Sequence, residues 1–323
     1  MLNWRLSFAV VIVLMLAAKF HAGVPDPTRE FQLQADSAEF WNLFDQGTKL
    51  STVASGFGFA EGPVWDPAGF VYVSDEVTNK IFRVYLDAGK KEELIALGDP
   101  DGNTFDRQQR LIDCASVLRA IIRIDREGRY QTLADRFDNR RFNSPNDVVI
   151  GPDDAIYFTD PTLDLPDGQK QEIPFQGVYR LDASGRATLL TKDLSQPNGL
   201  AFSPDGKRLY VDDSERRNIQ VFDFTAEHNL KNGRIFGEEP GGKGEGVPDG
   251  MKLDQAGNLY VTGPNGIWVW SPEGHHLGTI ILPEQPANLA WGDADYGTLY
   301  ITATTSVYRL RTKARGFIPY LSK

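Results

Sequence analysis

Six short stretches of this chain place an oxygen-bearing side chain at the head of a mostly apolar run. They are "EGPVWDPAGFVYVSD" from Glu61, "DGNTFDRQQRLIDC" from Asp101, "NDVVIGPDDAIYFTD" from Asn146, "NGLAFSPDGKRLYVDD" from Asn198, "DGMKLDQAGNLYVTG" from Asp249 and "NLAWGDADYGTLYIT" from Asn288. Three heads are carboxylates and three are amides, so every one offers a hard oxygen. Asn and Asp also dominate turns, where they bond their own backbone. That reading would suffice for one or two copies, but not for six of six. Carboxylates gathered at one place repel unless something offsets them. A divalent cation would do so, and oxygen-only ligation points to Ca2+, with Mg2+, Mn2+ or Zn2+ as alternatives. Such an ion would polarise a carbonyl and acidify a bound water, which is the chemistry of ester hydrolysis. A ring that merely orders water or plugs a channel is the alternative.

Other chemistries find little support. Cys114 is the single cysteine, so no internal disulfide or thiolate zinc cluster can form, and it is expected as a small buried hydrophobe. The four histidines, His21, His228, His275 and His276, form no H-E-x-x-H pair. No G-x-S-x-G elbow is present, and the glycine-rich "EEPGGKGEGVPDG" lacks phosphate-loop spacing. That stretch is expected to shape the rim of a site, with Lys243 solvated. A net charge of −10 argues against a nucleic-acid surface. No organic cofactor and no obligatory protein partner is inferred.

These heads need elements to position them. The copies start 39 to 52 residues apart. Each has a short strand, a turn and a second strand, and the second strand carries tyrosine in five of the six. Further strand-like runs follow within each unit, such as "KIFRVYL", "GVYRLD", "NIQVFDF" and "SVYRLRT". About four short strands per repeat, six times over, predict an all-β, six-bladed β-propeller. The first strand of each blade would line the channel, and the six heads would ring one mouth. The strand near "KLSTVASG" is expected to close the ring against the last blade. Residues 161–176 read as an exposed insertion, "SAEFWNLF" as a short helix, and Trp65, Tyr72, Tyr210 and Tyr260 as packing side chains. Residues 1–22 combine Arg5, an apolar stretch over 7–18 and small residues at Ala17, Ala18 and Ala22. They read as a signal peptide or N-terminal anchor. Residues 23–47 are then an N-terminal extension and 48–323 the catalytic propeller, exported to the periplasm or secreted.

Four motifs in this order, "FAEGPVWD", "SPNDVVI", "QPNGLAFSPDG" and "VPDGMKLD", resemble the senescence marker protein, gluconolactonase and luciferin-regenerating enzyme family. "GFGFAEGPVW" and "GNTFDRQQRLIDC" are most similar to its bacterial gluconolactonase branch. The resemblance runs from about residue 35 to 315. It implies a six-bladed propeller with one divalent ion at the channel mouth, held by Glu61, Asn146, Asn198 and Asp249. It also implies that Asp249 is the general base. Asp101 stands where the family has a substrate-contacting asparagine, and Asn103 is a second candidate substrate contact. The "CEH" of that branch is replaced here by Cys114, Ala115 and Ser116. The expected function is metal-dependent opening of a small sugar lactone to the aldonic acid. An extracytoplasmic calcium-bound binding module and a phosphotriesterase-like hydrolase are the alternatives.

Overall fold

The computed structural model describes residues 29–87, 89–242 and 244–322. The proposed signal segment and Lys243 lie outside the described residues. Six antiparallel sheets follow one another in chain order, each with its first strand innermost. The inner strands of blades one, two and three are Ala60–Asp66, Pro100–Phe105 and Val148–Ile150. Those of blades four, five and six are Pro197–Phe202, Met251–Leu253 and Pro286–Gly292. Each touches the next, and the sixth touches the first, which makes the six-bladed ring.

The ring closes as expected. Leu50–Ser55 forms the outer strand of blade six, paired with Ser306–Arg311 in a register that sets Leu50 opposite Leu310. Gln32–Ala35 adds a fifth strand to the edge of blade five against His276–Ile281. A short 3-10 helix, Ala38–Asn42, then buries Phe40 completely. Part of the segment read as an extension is therefore paired to the ring.

The repeating tyrosines have a double reason. Tyr157, Tyr210, Tyr260 and Tyr300 lie on second strands and are at most 1 % exposed, filling the space between blades. A buried phenol needs a partner. Three hydroxyls reach an aspartate in the turn before their own strand: Tyr157 to Asp153 at 3.0 Å, Tyr260 to Asp254 at 3.2 Å and Tyr300 to Asp293 at 2.7 Å. Cys114 is fully buried among apolar residues.

The insertion at residues 161–176 is not simply an exposed loop. Its beginning is stitched to loops that precede two inner strands. Thr162 donates its N–H to Gln196 Oε1 at 3.1 Å, and Asp164 N–H meets Ser144 Oγ at 3.2 Å. Its middle is pinned by Arg119, which is buried and donates to Phe142 O and Gln169 Oε1.

Candidate active site at the channel mouth

The site is built by one device repeated around the ring. A hydroxyl at or just past the end of a blade's second strand donates to a carbonyl in or just before the next blade's inner strand. Ser74 bonds Asp101 O at 2.8 Å, Ser116 bonds Pro145 O at 2.7 Å, and Thr159 bonds Asn198 O at 2.7 Å. Ser214 bonds Pro248 O at 2.7 Å and Thr262 bonds Ala287 O at 2.9 Å. The sixth seam uses backbone, with Ala60 N–H donating to Thr304 O at 2.9 Å. Within three blades an aspartate holds the loop entering the inner strand. Asp75 accepts the N–H groups of Gly58 and Phe59, Asp160 that of Asn143, and Asp213 those of Ser195 and Gln196. These loops lead to Glu61, Asn146 and Asn198. The strand endings "VSD", "FTD" and "VDDS" carried this signal in the sequence, where they read only as strand termini.

This pattern corrects one member of the ring. The carbonyls of Asp101, Asn198 and Ala287 occupy equivalent places, since their donors Ser74, Thr159 and Thr262 each stand two residues after the second-strand tyrosine, whereas Ser116 and Ser214 lie just past their strands and bond the prolines before Asn146 and Asp249. Gly102 N–H bonds Asn146 O and Gly250 N–H bonds Ala287 O in the same way. The sixth ring position therefore belongs to Ala287, and Asn288 stands one residue further along. There the other blades have Gly62, Gly102, Asp147, Gly199 and Gly250. Glycine is demanded by crowding: a Cβ on Gly199 would lie 1.9 Å from Asp249 O, and one on Gly62 would lie 2.1 Å from Asp101 O. Only blades three and six, on opposite sides of the ring, put side chains here, as Asp147 and Asn288.

The ring side chains engage one another. Asn146 Nδ2 donates to Asp101 Oδ2 at 2.7 Å, and Ser116 Oγ, whose hydrogen is directed to Pro145 O, lies 3.3 Å from the same oxygen. Glu61 Oε2 accepts the N–H of Gly62 and the Nδ2 of Asn288, the latter at 3.0 Å. Asn198 Nδ2 reaches Ser214 Oγ at 3.2 Å, while its Oδ1 has no partner within the protein. Glu61, Asp101, Asn146 and Asn198 are buried, and Asp249 is only half-buried at the mouth. Asn103 spends its amide nitrogen on Ser74 Oγ at 2.7 Å, Gly62 O at 2.9 Å and Asp101 O at 3.2 Å. Its Oδ1 is left without a protein partner.

Burial sets the charge state. It pushes the Glu61 carboxyl up to about 8, against the hydrogen bonds from Gly62 and Asn288 and the charge of Lys252. Burial also raises Asp101 well above the carboxylate range, with Glu76 and Asp164 adding to the effect. Asp249 is raised in the same sense by desolvation and by Glu61, Asp147 and Asp164. Desolvation thus disfavours the charged form of each of the three acids.

A divalent cation held by Glu61, Asn146, Asn198 and Asp249 was the expectation, with Ca2+ first. Among the described residues no group of three or more His, Cys, Asp or Glu side chains is arranged to hold a metal ion, and the expectation is corrected on that finding. Glu61 Oε2 and Asn146 Nδ2 are bonded to neighbouring ring side chains, and Asn198 Oδ1 is buried without a partner in the protein.

Fold and site together define a six-bladed propeller with a mouth of buried carboxyls and amides. The chain belongs to the SMP-30/Gluconolactonase/LRE-like region family, whose pattern matches residues 59–305. It is 34 % identical over 300 residues to the gluconolactonase of Zymomonas mobilis, covering 85 % of this chain and 84 % of that protein. It is 27 % identical over 250 residues to the pentonolactonase XacC of Haloferax volcanii, covering 75 % and 80 %. The solved structure of a Xanthomonas campestris gluconolactonase superimposes with a TM-score of 0.81 at 30 % identity, covering 90 % of this chain and 97 % of that one.

Proposed function

We propose that this protein hydrolyses a small polyhydroxylated sugar lactone to the corresponding aldonic acid at the channel mouth. Membership of the family and the likeness to a gluconolactonase and a pentonolactonase support lactone hydrolysis. The likeness to a gluconolactonase and a pentonolactonase carries the substrate class, and two buried amide oxygens on the inner strands, Asn103 Oδ1 and Asn198 Oδ1, have no protein donor. A buried acceptor left unbonded is costly. The hydroxyls of a sugar lactone supply donors, and a site built on such bonds rejects lactones lacking them.

In this reading Asp249 takes a proton from the attacking water. It is the ring carboxyl most open to solvent, and its raised pKa makes its carboxylate a stronger base than usual. Water oxygen bonds to the lactone carbonyl carbon. Asp101, whose neutral form burial favours, donates a hydrogen bond to the carbonyl oxygen as negative charge develops there. The bond from carbonyl carbon to ring oxygen then breaks. Asp249 returns its proton to that oxygen, which leaves as the free hydroxyl of the product. The N-terminal apolar segment supports a further proposal, export from the cytoplasm, which the mature N-terminus of protein recovered from cells would test.

Acid release is the direct assay. Gluconolactone, other aldonolactones, aliphatic lactones and a phosphotriester would be compared, each corrected for spontaneous hydrolysis with boiled protein. Aldonolactones should turn over, and Asp249→Ala should lower kcat by about 10²–10⁴-fold. Equal aldonolactone rates for wild type, Asp249→Ala and boiled protein would overturn the proposal.

A further inference from the structure

A cation stands among the acids of the mouth. Lys252 lies on the inner strand of blade five, three residues after Asp249. The equivalent residues of the other blades are Val64, Thr104, Val149, Ala201 and Ala290, so this charge belongs to one blade alone. Its half-buried ammonium donates to Met251 O at 2.9 Å and to Asn288 Oδ1 at 3.3 Å. Asn288 carries the contact onward, since its Nδ2 donates to Glu61 Oε2 at 3.0 Å. A chain of hydrogen bonds thus runs from blade five through blade six to blade one.

An amide has an accepting end and a donating end. With Oδ1 against an ammonium and Nδ2 against a carboxyl, both ends are matched. The flipped amide would set NH2 against the ammonium and oxygen against Glu61. Leu289 N–H also donates to Oδ1 at 2.9 Å and favours the same orientation. Asn288 can do this only because it stands at the position where four blades have glycine, which brings its side chain into the channel. Lys252 also acts electrostatically on Asp147 of blade three.

We propose that Lys252 is a positioning residue for the mouth: its ammonium holds the Asn288 amide with nitrogen toward Glu61, and so fixes the Glu61 carboxyl. It also supplies a fixed positive charge beneath the acids. The inference rests on the lactone-hydrolase reading, because the geometry it maintains is that of the proposed site. Lys252 touches no substrate in this scheme, so its loss should act on kcat more than on KM.

The test uses Lys252→Met, Lys252→Gln and Lys252→Arg, together with Asn288→Leu. Lys252→Met should lower kcat by about ten-fold or more while KM changes by less than about three-fold, the pattern of a misplaced group rather than a lost contact. Lys252→Arg should recover most of the loss. Lys252→Gln, which keeps a donor without the charge, stands in if the methionine variant does not fold. Asn288→Leu should add little on top of Lys252→Met, because both act through one amide. Wild-type kcat in Lys252→Met, no recovery with arginine, or losses that multiply in the double variant would each refute the role. A readout independent of turnover separates this inference from the functional one. The side-chain amide resonances of Asn288, identified by their loss in Asn288→Leu, should move in Lys252→Met. If they stay in place the positioning role fails, whatever the lactone assay shows. If they move while wild type hydrolyses no lactone, only the functional reading fails.

Discussion

Replacing Gly199 with alanine tests the idea that the mouth is set by how closely adjoining blades approach. The new Cβ would lie 1.9 Å from Asp249 O and 2.7 Å from Asp212 Oδ2, whereas real Cβ atoms essentially never come within 3.0 Å of a neighbour. The obstacle is backbone, so blade four or blade five must retreat by about 1 Å to relieve it. Overpacking of this kind costs about 1–3 kcal/mol, and a clash with backbone belongs at the upper end. For a chain of this size about 3 kcal/mol corresponds to a fall in Tm of about 4–5 °C. The strand that retreats carries Asp249 or Asn198, and a misplacement of about 1 Å in a reacting group can cost about 10²-fold in rate. Gly47→Ala is the control, since nothing lies within 4 Å of its added Cβ. Thermal unfolding followed by circular dichroism and the aldonolactone assay would be run on both variants. If Gly199→Ala melts and turns over like Gly47→Ala, the close-approach argument is wrong.

Two further perturbations follow from buried aspartates. Burial pushes Asp160 up to about 8, opposed by hydrogen bonds from Asn143 and Ser144 and the charge of Arg119. Between about pH 4 and pH 8 the native state therefore holds a proton that the unfolded chain has released, and stability should fall as pH rises through that window. Asp160→Asn should flatten this decline in denaturant titrations at pH 5 and pH 8, and an unchanged slope would contradict it. Asp213→Ala should cost about 2–4 kcal/mol by orphaning the N–H groups of Ser195 and Gln196, which it accepts at 2.7 and 3.2 Å. It should also lower turnover through Asn198. Asp213→Asn, which keeps one accepting oxygen, should lose less on both measures, and equal losses would count against a hydrogen-bonding role.

The blade repeat was legible because its grammar is local: a polar head, a short strand, a turn, and a tyrosine bound to a turn aspartate. Glycine after Glu61, Asp101, Asn198 and Asp249 was visible too, although its reason, the next blade's backbone, is not in the sequence. Blade six misled. "PANLAW" offers alanine at the ring position and asparagine beside it, so alignment by chemistry selected Asn288 where alignment by register selects Ala287. The acids at the mouth were legible as residue types. What bears on their charge was not, since desolvation and the ammonium of Lys252 depend on blades that meet only in three dimensions. Lys252 gave no sign of itself, because a lysine beside the turn of an ordinary strand reads as solvated.

The strand that completes blade six also sets an order of events. Leu50 and its partner Leu310 are separated by most of the chain, so the ring cannot shut until both ends are present. Contacts of such long range make folding slow. During that interval Ser306–Arg311 presents an unpaired edge, a template on which another chain can pair. Native assembly is therefore a race between an intramolecular closure and an intermolecular one, and protein concentration during refolding decides which prevails. Once shut, the ring is protected by the same pairing, because opening it at that seam means breaking a whole ladder of strand bonds at once.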